Sequence, residues 1–146
     1  PYFVPDRSIV ESLKMAVQSG VDVRIMIPHM PDHIFVYWAT YSYVGELLRS
    51  GARAFIYDDG FLHAKTLVVD GEVCTVGSTN FDNRSFRLNF ETNAFIFDSD
   101  FASQMEAAFL HDMTRHGHEL TYEDYKRRGL LIRVKEAFSR LLSDIL

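Results

Sequence analysis

Apolar positions recur along this chain with two periods, and the alternation between them outlines the fold. Ile9, Val10, Leu13 and Val17 share one face of a helix expected over residues 6–18, with Gly20 ending it. The same spacing of three to four marks helices over 35–49, closed by Gly51, and over 101–115, 122–128 and 130–142. Shorter stretches with strand character lie between them, at 2–4, 21–27, 52–57 and 89–97. Residues 65–69 and 73–76 form two more strands, joined at Asp70-Gly71, a pair that accepts the left-handed backbone of a tight hairpin. Asp58-Asp59-Gly60 reads as a turn, and 28–33 and 77–87 as loops. Strands and helices alternate first and a hairpin then intervenes. That order predicts an α/β fold, a mixed β-sheet sandwiched between helices on both faces.

Composition and charge add to this picture. The 146 residues suffice for one domain with a sizeable core. The lone Cys74 excludes an intramolecular disulfide, and its alternating apolar neighbours make it a small buried hydrophobe. The net charge is −5, and residues 1–125 sum to −9, which argues against a bulk nucleic-acid-binding surface but not against a local grip on one phosphate. No apolar run approaches the roughly 20 residues that span a bilayer. The tail differs from the rest: residues 126–140 sum to +5, and Leu130, Leu131, Val134, Phe138, Leu141 and Leu142 make an apolar stripe. A basic amphipathic helix of this kind suits an anionic lipid surface or packs as a terminal helix. We therefore divide the chain into a unit over 1–128 and a basic amphipathic helix over 129–146. The opening Pro1-Tyr2-Phe3-Val4-Pro5 lacks an initiator Met and reads as part of a strand, so a longer parent chain is expected.

Between Gly60 and Glu91 the sequence gathers polar groups that a core would reject. His63 and Lys65 are two apart, so on an extended chain both side chains point to one face. Ser78 and Asn80 share that parity on the next segment. A lysine charge with asparagine and serine donors suits a tetrahedral phosphate oxyanion. A histidine beside them can act as nucleophile or general acid. Glu91 can accept a hydrogen bond from the other ring nitrogen and fix the tautomer. Elsewhere the chemistry is thinner. His116-x-His118 is a chelating pair with no third ligand nearby in sequence, and basic groups belong at that helix end in any case. His29 and His33 sit in a Pro-rich loop, and Tyr37, Trp38, Tyr41 and Tyr43 read as helix packing. Arg84 and Arg87 can touch a phosphate or pair locally.

The spaced pattern His63-x-Lys65-x4-Asp70-x6-Gly77-Ser78-x-Asn80 resembles the HKD signature of the phospholipase D superfamily. Gly20-Val21-Asp22-Val23-Arg24-Ile25, Pro31-Asp32-His33, Gly60-Phe61-Leu62-His63-Ala64-Lys65 and Arg84-Ser85-Phe86-Arg87-Leu88-Asn89-Phe90-Glu91 are similar to the C-terminal catalytic half of bacterial cardiolipin synthases. The resemblance implies a phospholipase D-like half-fold and a phosphatidyl transferase that condenses two phosphatidylglycerols to cardiolipin and glycerol through a phosphohistidine. It implies His63, Lys65 and Glu91 as catalytic residues, with Lys65, Ser78 and Asn80 binding phosphate and Asp70 and Gly77 serving structure. It implies neither metal nor cofactor, an anionic phospholipid substrate, and a parent enzyme associated with the bacterial inner membrane. The family's site takes two HKD motifs and this chain has one, so the second comes from another half of the parent or from an identical chain. The same motif serves phosphodiesterases and nucleases working as homodimers, and a non-catalytic half is the third possibility.

Overall fold

Asp6 opens the first helix, α1 (Arg7–Gln18), by accepting a hydrogen bond from Ile9 N at 3.0 Å, the N-cap role for which a short carboxylate is suited. The computed structural model describes residues 2–30 and 33–143. After β1 (Phe3–Val4) and α1 come β2 (Arg24–Pro28), α2 (Ile34–Ser50), β3 (Arg53–Tyr57), β4 (Thr66–Val69) and β5 (Val73–Gly77). They are followed by β6 (Phe81–Asp82), α3 (Asn83–Arg87), β7 (Asn93–Ile96), α4 (Ser99–Arg115), β8 (Gly117–Leu120), α5 (Tyr122–Arg127) and α6 (Leu130–Leu141). Pro1, the loop residues Pro31 and Asp32, and positions 144–146 of the expected terminal segment lie outside the described residues.

The fold is α/β with its sheets flanked by helices, as expected, but the strands divide into three hydrogen-bonded sheets. β1 runs parallel to β6; β2 and β8 flank β3, parallel and antiparallel respectively; β4, β5 and β7 form an antiparallel meander. α2 packs against β1, β3 and α1, while α4 reaches both three-stranded sheets. The core gathers around α2, whose Val44 and Leu47 are buried with Val4, Val10, Ile27 and Ala54. α2 buries residues on most of its circumference, which is why its apolar pattern is broad and not a narrow stripe.

The hairpin tip forms as its residues require, with φ 54° at Asp70 and 64° at Gly71. The structure departs from the sequence reading in four places. β8 forms where only a helix end was expected, because its residues pair with β3, Ile56 opposite His118. The expected loop 77–87 contains β6 and α3, too short for periodicity to show; Asp82 caps α3 by accepting from Ser85 N at 2.7 Å. β7 is shorter than 89–97, because Asn89 and Glu91 are drawn into side-chain hydrogen bonds. β2 begins at Arg24, three residues after the expected start.

Candidate active site

His63 and Lys65 lie in an irregular segment, residues 61–65, that leads into β4. Lys65 Nζ donates to the His63 carbonyl at 3.0 Å, and the rings of Phe61 and His63 are 5.5 Å apart. Lys65 is half-buried and, among the described residues, has no ion-pair partner. Burial holds its pKa below the ordinary lysine range, against the weaker pull of Glu91 and Asp82. An ammonium in this state is partly stripped of water and makes no direct ion pair, which suits it to draw an anion.

The opposite wall begins where β5 ends. A Cβ on Gly77 would fall 1.9 Å from Asn93 Oδ1 and 2.2 Å from the Thr92 carbonyl, so the approach of β5 to β7 excludes any side chain. Ser78 follows, with its N–H on the Thr92 carbonyl and its Oγ accepting from Thr92 N, both at 3.0 Å. Its hydroxyl donates to Glu91. Glu91 also accepts from Ser85 Oγ at 3.1 Å and Asn89 Nδ2 at 3.3 Å. The Ser78 hydrogen bond, then those of Asn89 and Ser85, with Lys65 adding its charge, hold the Glu91 carboxyl below the usual range despite some burial. Thr79 N donates to Asn93 Oδ1 at 3.2 Å, and Asn80 follows with its Oδ1 buried and unpartnered.

Lys65 and Asn80 line one cleft of about 310 Å³, with chiefly apolar walls that include Val23, Ile25, Met105 and Phe109. Thus Lys65 and Asn80 share a cleft whose lining includes neither His63 nor Ser78, and Ser78 is tied to Glu91. Glu91 spends its carboxylate on Ser78, Ser85 and Asn89 and makes no hydrogen bond to His63. Ser85 and Asn89 were not legible as parts of this cluster, since neither bears on chemistry until Glu91 folds back onto it. Asp70 stands at the hairpin tip, at the far end of β4 from Lys65. Arg87 pairs with Asp6 at 3.0 Å, and Arg84 is exposed.

Two further surfaces bear on the site. Leu67, Thr75 and Phe95 stand side by side in register, so they share one face of the β4–β5–β7 sheet, and Lys65 precedes Leu67 with the same parity. On that face Leu67, Val69, Phe95 and Phe97 are exposed. At the end of β3, His118 Nδ1 meets Asp58 at 2.5 Å and His116 Nδ1 meets Asp59 at 2.9 Å. His111, Asp112 and His116 also bring ligand-capable atoms within 4.8 Å of one another, a grouping created by the α4-to-β8 turn. This group takes His116 but not His118, so it is a different set from the chelating pair read in the sequence.

Among known proteins, residues 1–113 match the family model described as cardiolipin synthase, PLD-like domain. A cardiolipin synthase of Listeria monocytogenes is 59% identical over all 146 residues, and the major cardiolipin synthase of Bacillus subtilis is 56% identical over the same length. The chain spans about 30% of the length of these relatives. In fold, the phosphatidylserine synthase of Haemophilus influenzae aligns with 100% of this chain and 40% of its own, with a TM-score of 0.76 at 18% identity. Nuc, a phospholipase D family member from Salmonella typhimurium, aligns with 82% of this chain and 78% of its own, with a TM-score of 0.64 at 24% identity.

Proposed function

Given that the chain belongs to the cardiolipin synthase PLD-like domain family, we propose that it supplies one of the two HKD halves of a phosphatidyl transferase that makes cardiolipin. Residues 1–128 are then the catalytic half and 129–146 an added helix. The observation that carries this reading is the half-buried Lys65, without an ion-pair partner among the described residues, at the same cleft as Asn80, whose Oδ1 is buried and unpartnered. Its amide also carries Nδ2, a neutral donor type beside the lysine charge. The pair fits two oxygens of a phosphodiester, while Ser78, whose one hydroxyl proton goes to Glu91, braces the end of β5 beside them.

The reaction takes two displacements at phosphorus. In the first, an imidazole nitrogen forms a P–N bond to the phosphatidyl group of phosphatidylglycerol, and the P–O bond to glycerol breaks. A second imidazole gives the departing glycerol oxygen its proton. In the second, the hydroxyl of another phosphatidylglycerol gives its proton to that imidazole and attacks phosphorus. The P–N bond breaks and cardiolipin leaves. His63 fills one of the two roles, and the other falls to a histidine outside this chain. Lys65 and Asn80 stabilise charge on the phosphoryl oxygens, so the step needs no metal or cofactor. The exposed face of Leu67, Val69, Phe95 and Phe97, on the side of Lys65, offers the surface against which a second half closes. The parent's membrane association follows from its lipid substrate; among the described residues no helix is long and apolar enough to cross a membrane.

Reconstitution tests this directly. The 146-residue chain alone, as a monomer, should not turn over phosphatidylglycerol, and mixing it with the remaining half of the parent should restore cardiolipin formation. Normal turnover by the lone monomer would contradict the two-motif reading.

A further inference from the structure

α6 is amphipathic, yet it faces the protein with its polar side. Glu136 and Ser139 are 3% and 1% exposed against the domain, whereas Leu131 and Leu141 are 79% and 82% exposed, with Leu130, Val134 and Phe138 beside them. At about 100° per residue, the buried pair and the apolar stripe point about 160° apart. An ordinary terminal helix would turn the stripe inward.

Polar anchors hold it in this rotation. Arg128 pairs with Glu136 at 2.5 Å, and Tyr125 Oη donates to the same carboxylate at 3.0 Å. Arg140 pairs with Glu46 on α2 and lies over the Tyr43 ring at 4.4 Å. Turning the stripe inward would break these pairs and leave Glu136 without its counter-ion. The exposed apolar surface is therefore a built feature of the fold.

Its charge names the occupant. Glu136 is the only acidic residue in α6, and it is buried, so the exposed part of the helix carries no negative side chain. Arg133 and Lys135 are exposed on the two shoulders of the stripe, and Arg127 is exposed just before the helix. Long basic side chains on either side of an apolar stripe can snorkel toward phosphates while the stripe enters the acyl boundary. The geometry points to α6 as an in-plane anchor that lays Leu130, Leu131, Val134, Phe138 and Leu141 into an anionic phospholipid surface. The choice of anionic lipid rests on the transferase reading above. On that reading the second half closes on the β4–β5–β7 sheet face beside Lys65, away from α6.

The test is co-sedimentation of the full 146-residue chain with vesicles of phosphatidylglycerol and phosphatidylcholine, or of phosphatidylcholine alone. The chain should prefer the anionic vesicles, and added salt should weaken binding. Leu131→Asp with Leu141→Asp should lower partitioning at least about tenfold with the melting temperature unchanged, since both positions are exposed. Arg133→Glu with Lys135→Glu should also lower it about tenfold or more, and remove most of the salt dependence. If the aspartate pair destabilises the fold, Leu131→Ser with Leu141→Ser makes the same comparison. Unaltered binding by these variants overturns the proposal. So does a lipid-free dimer that the aspartate pair splits, which would assign the face to a second copy. Vesicle binding is read without turnover, so lipid docking through α6 alongside an active His63→Ala parent would sink the transferase reading alone.

Discussion

Replacing Lys65 by Met keeps the length of the side chain and removes its charge. If Lys65 Nζ sits about 4 Å from a phosphoryl oxygen in a half-buried cleft, an effective dielectric near 20 gives about 4 kcal/mol of attraction. Lost from the transition state, that is a fall in rate of about 10³-fold. Stability should move the other way. Burial lowers the folded pKa of Lys65 below its unfolded value, so the charged form is disfavoured in the folded state. Its destabilising effect is present at neutral pH and is relieved only as the pH rises past the folded pKa. Lys65→Met should therefore melt at the same temperature as the wild type or higher at pH 7. Initial rates of the complete parent on phosphatidylglycerol vesicles, paired with thermal unfolding, measure both effects. A rate within about threefold of wild type together with a lower melting temperature would make Lys65 a structural residue and refute the reasoning.

Other expectations concern the supports of the site and of α6. Gly77→Ala forces a methyl into the Thr92 carbonyl and Asn93, and should cost about 1–3 kcal/mol in denaturant unfolding while displacing Ser78; an unchanged midpoint would contradict the close approach. Arg128→Met leaves the buried Glu136 without its counter-ion and should cost about 3 kcal/mol at pH 7. Burial already raises the Glu136 pKa, and losing Arg128 raises it further, so this cost should shrink as the pH falls through that value and the carboxyl takes up a proton. Urea unfolding at pH 7 and near pH 4.5 should show the difference, and equal cost at both would argue against it. Turnover should survive EDTA, because Lys65 and Asn80 supply the charge and donors; complete loss with rescue by zinc would contradict that role.

The helices and the hairpin were legible because each is long or carries a local rule. Val10 and Leu13 mark the inner face of α1, and Asp70-Gly71 can turn left-handed without help. β6 and α3 were not legible, since two and five residues carry no period, and what fixes them is Phe3 opposite Phe81 and the Asp82 cap. The partners of the site were half legible. The spacing suggested that His63, Lys65, Ser78 and Asn80 converge, and of these Lys65 and Asn80 line one cleft while His63 and Ser78 are not among its lining residues. It could not show that Glu91 would turn to Ser78, Ser85 and Asn89, because that depends on β7 starting late at Asn93. The stripe on α6 was visible as a pattern, but its outward rotation is set by Glu46 and Tyr43, far away in sequence.

The central claim is that His63 takes part directly in phosphatidyl transfer. The most direct measurement is turnover of phosphatidylglycerol by the complete parent carrying His63→Asn, with thermal unfolding as the check on folding. His63 is exposed, so the substitution should leave the melting temperature unchanged. The account predicts a loss of about 10³-fold or more, because neither nucleophile nor proton donor remains at that position. A folded His63→Asn enzyme that keeps most of its activity would contradict it.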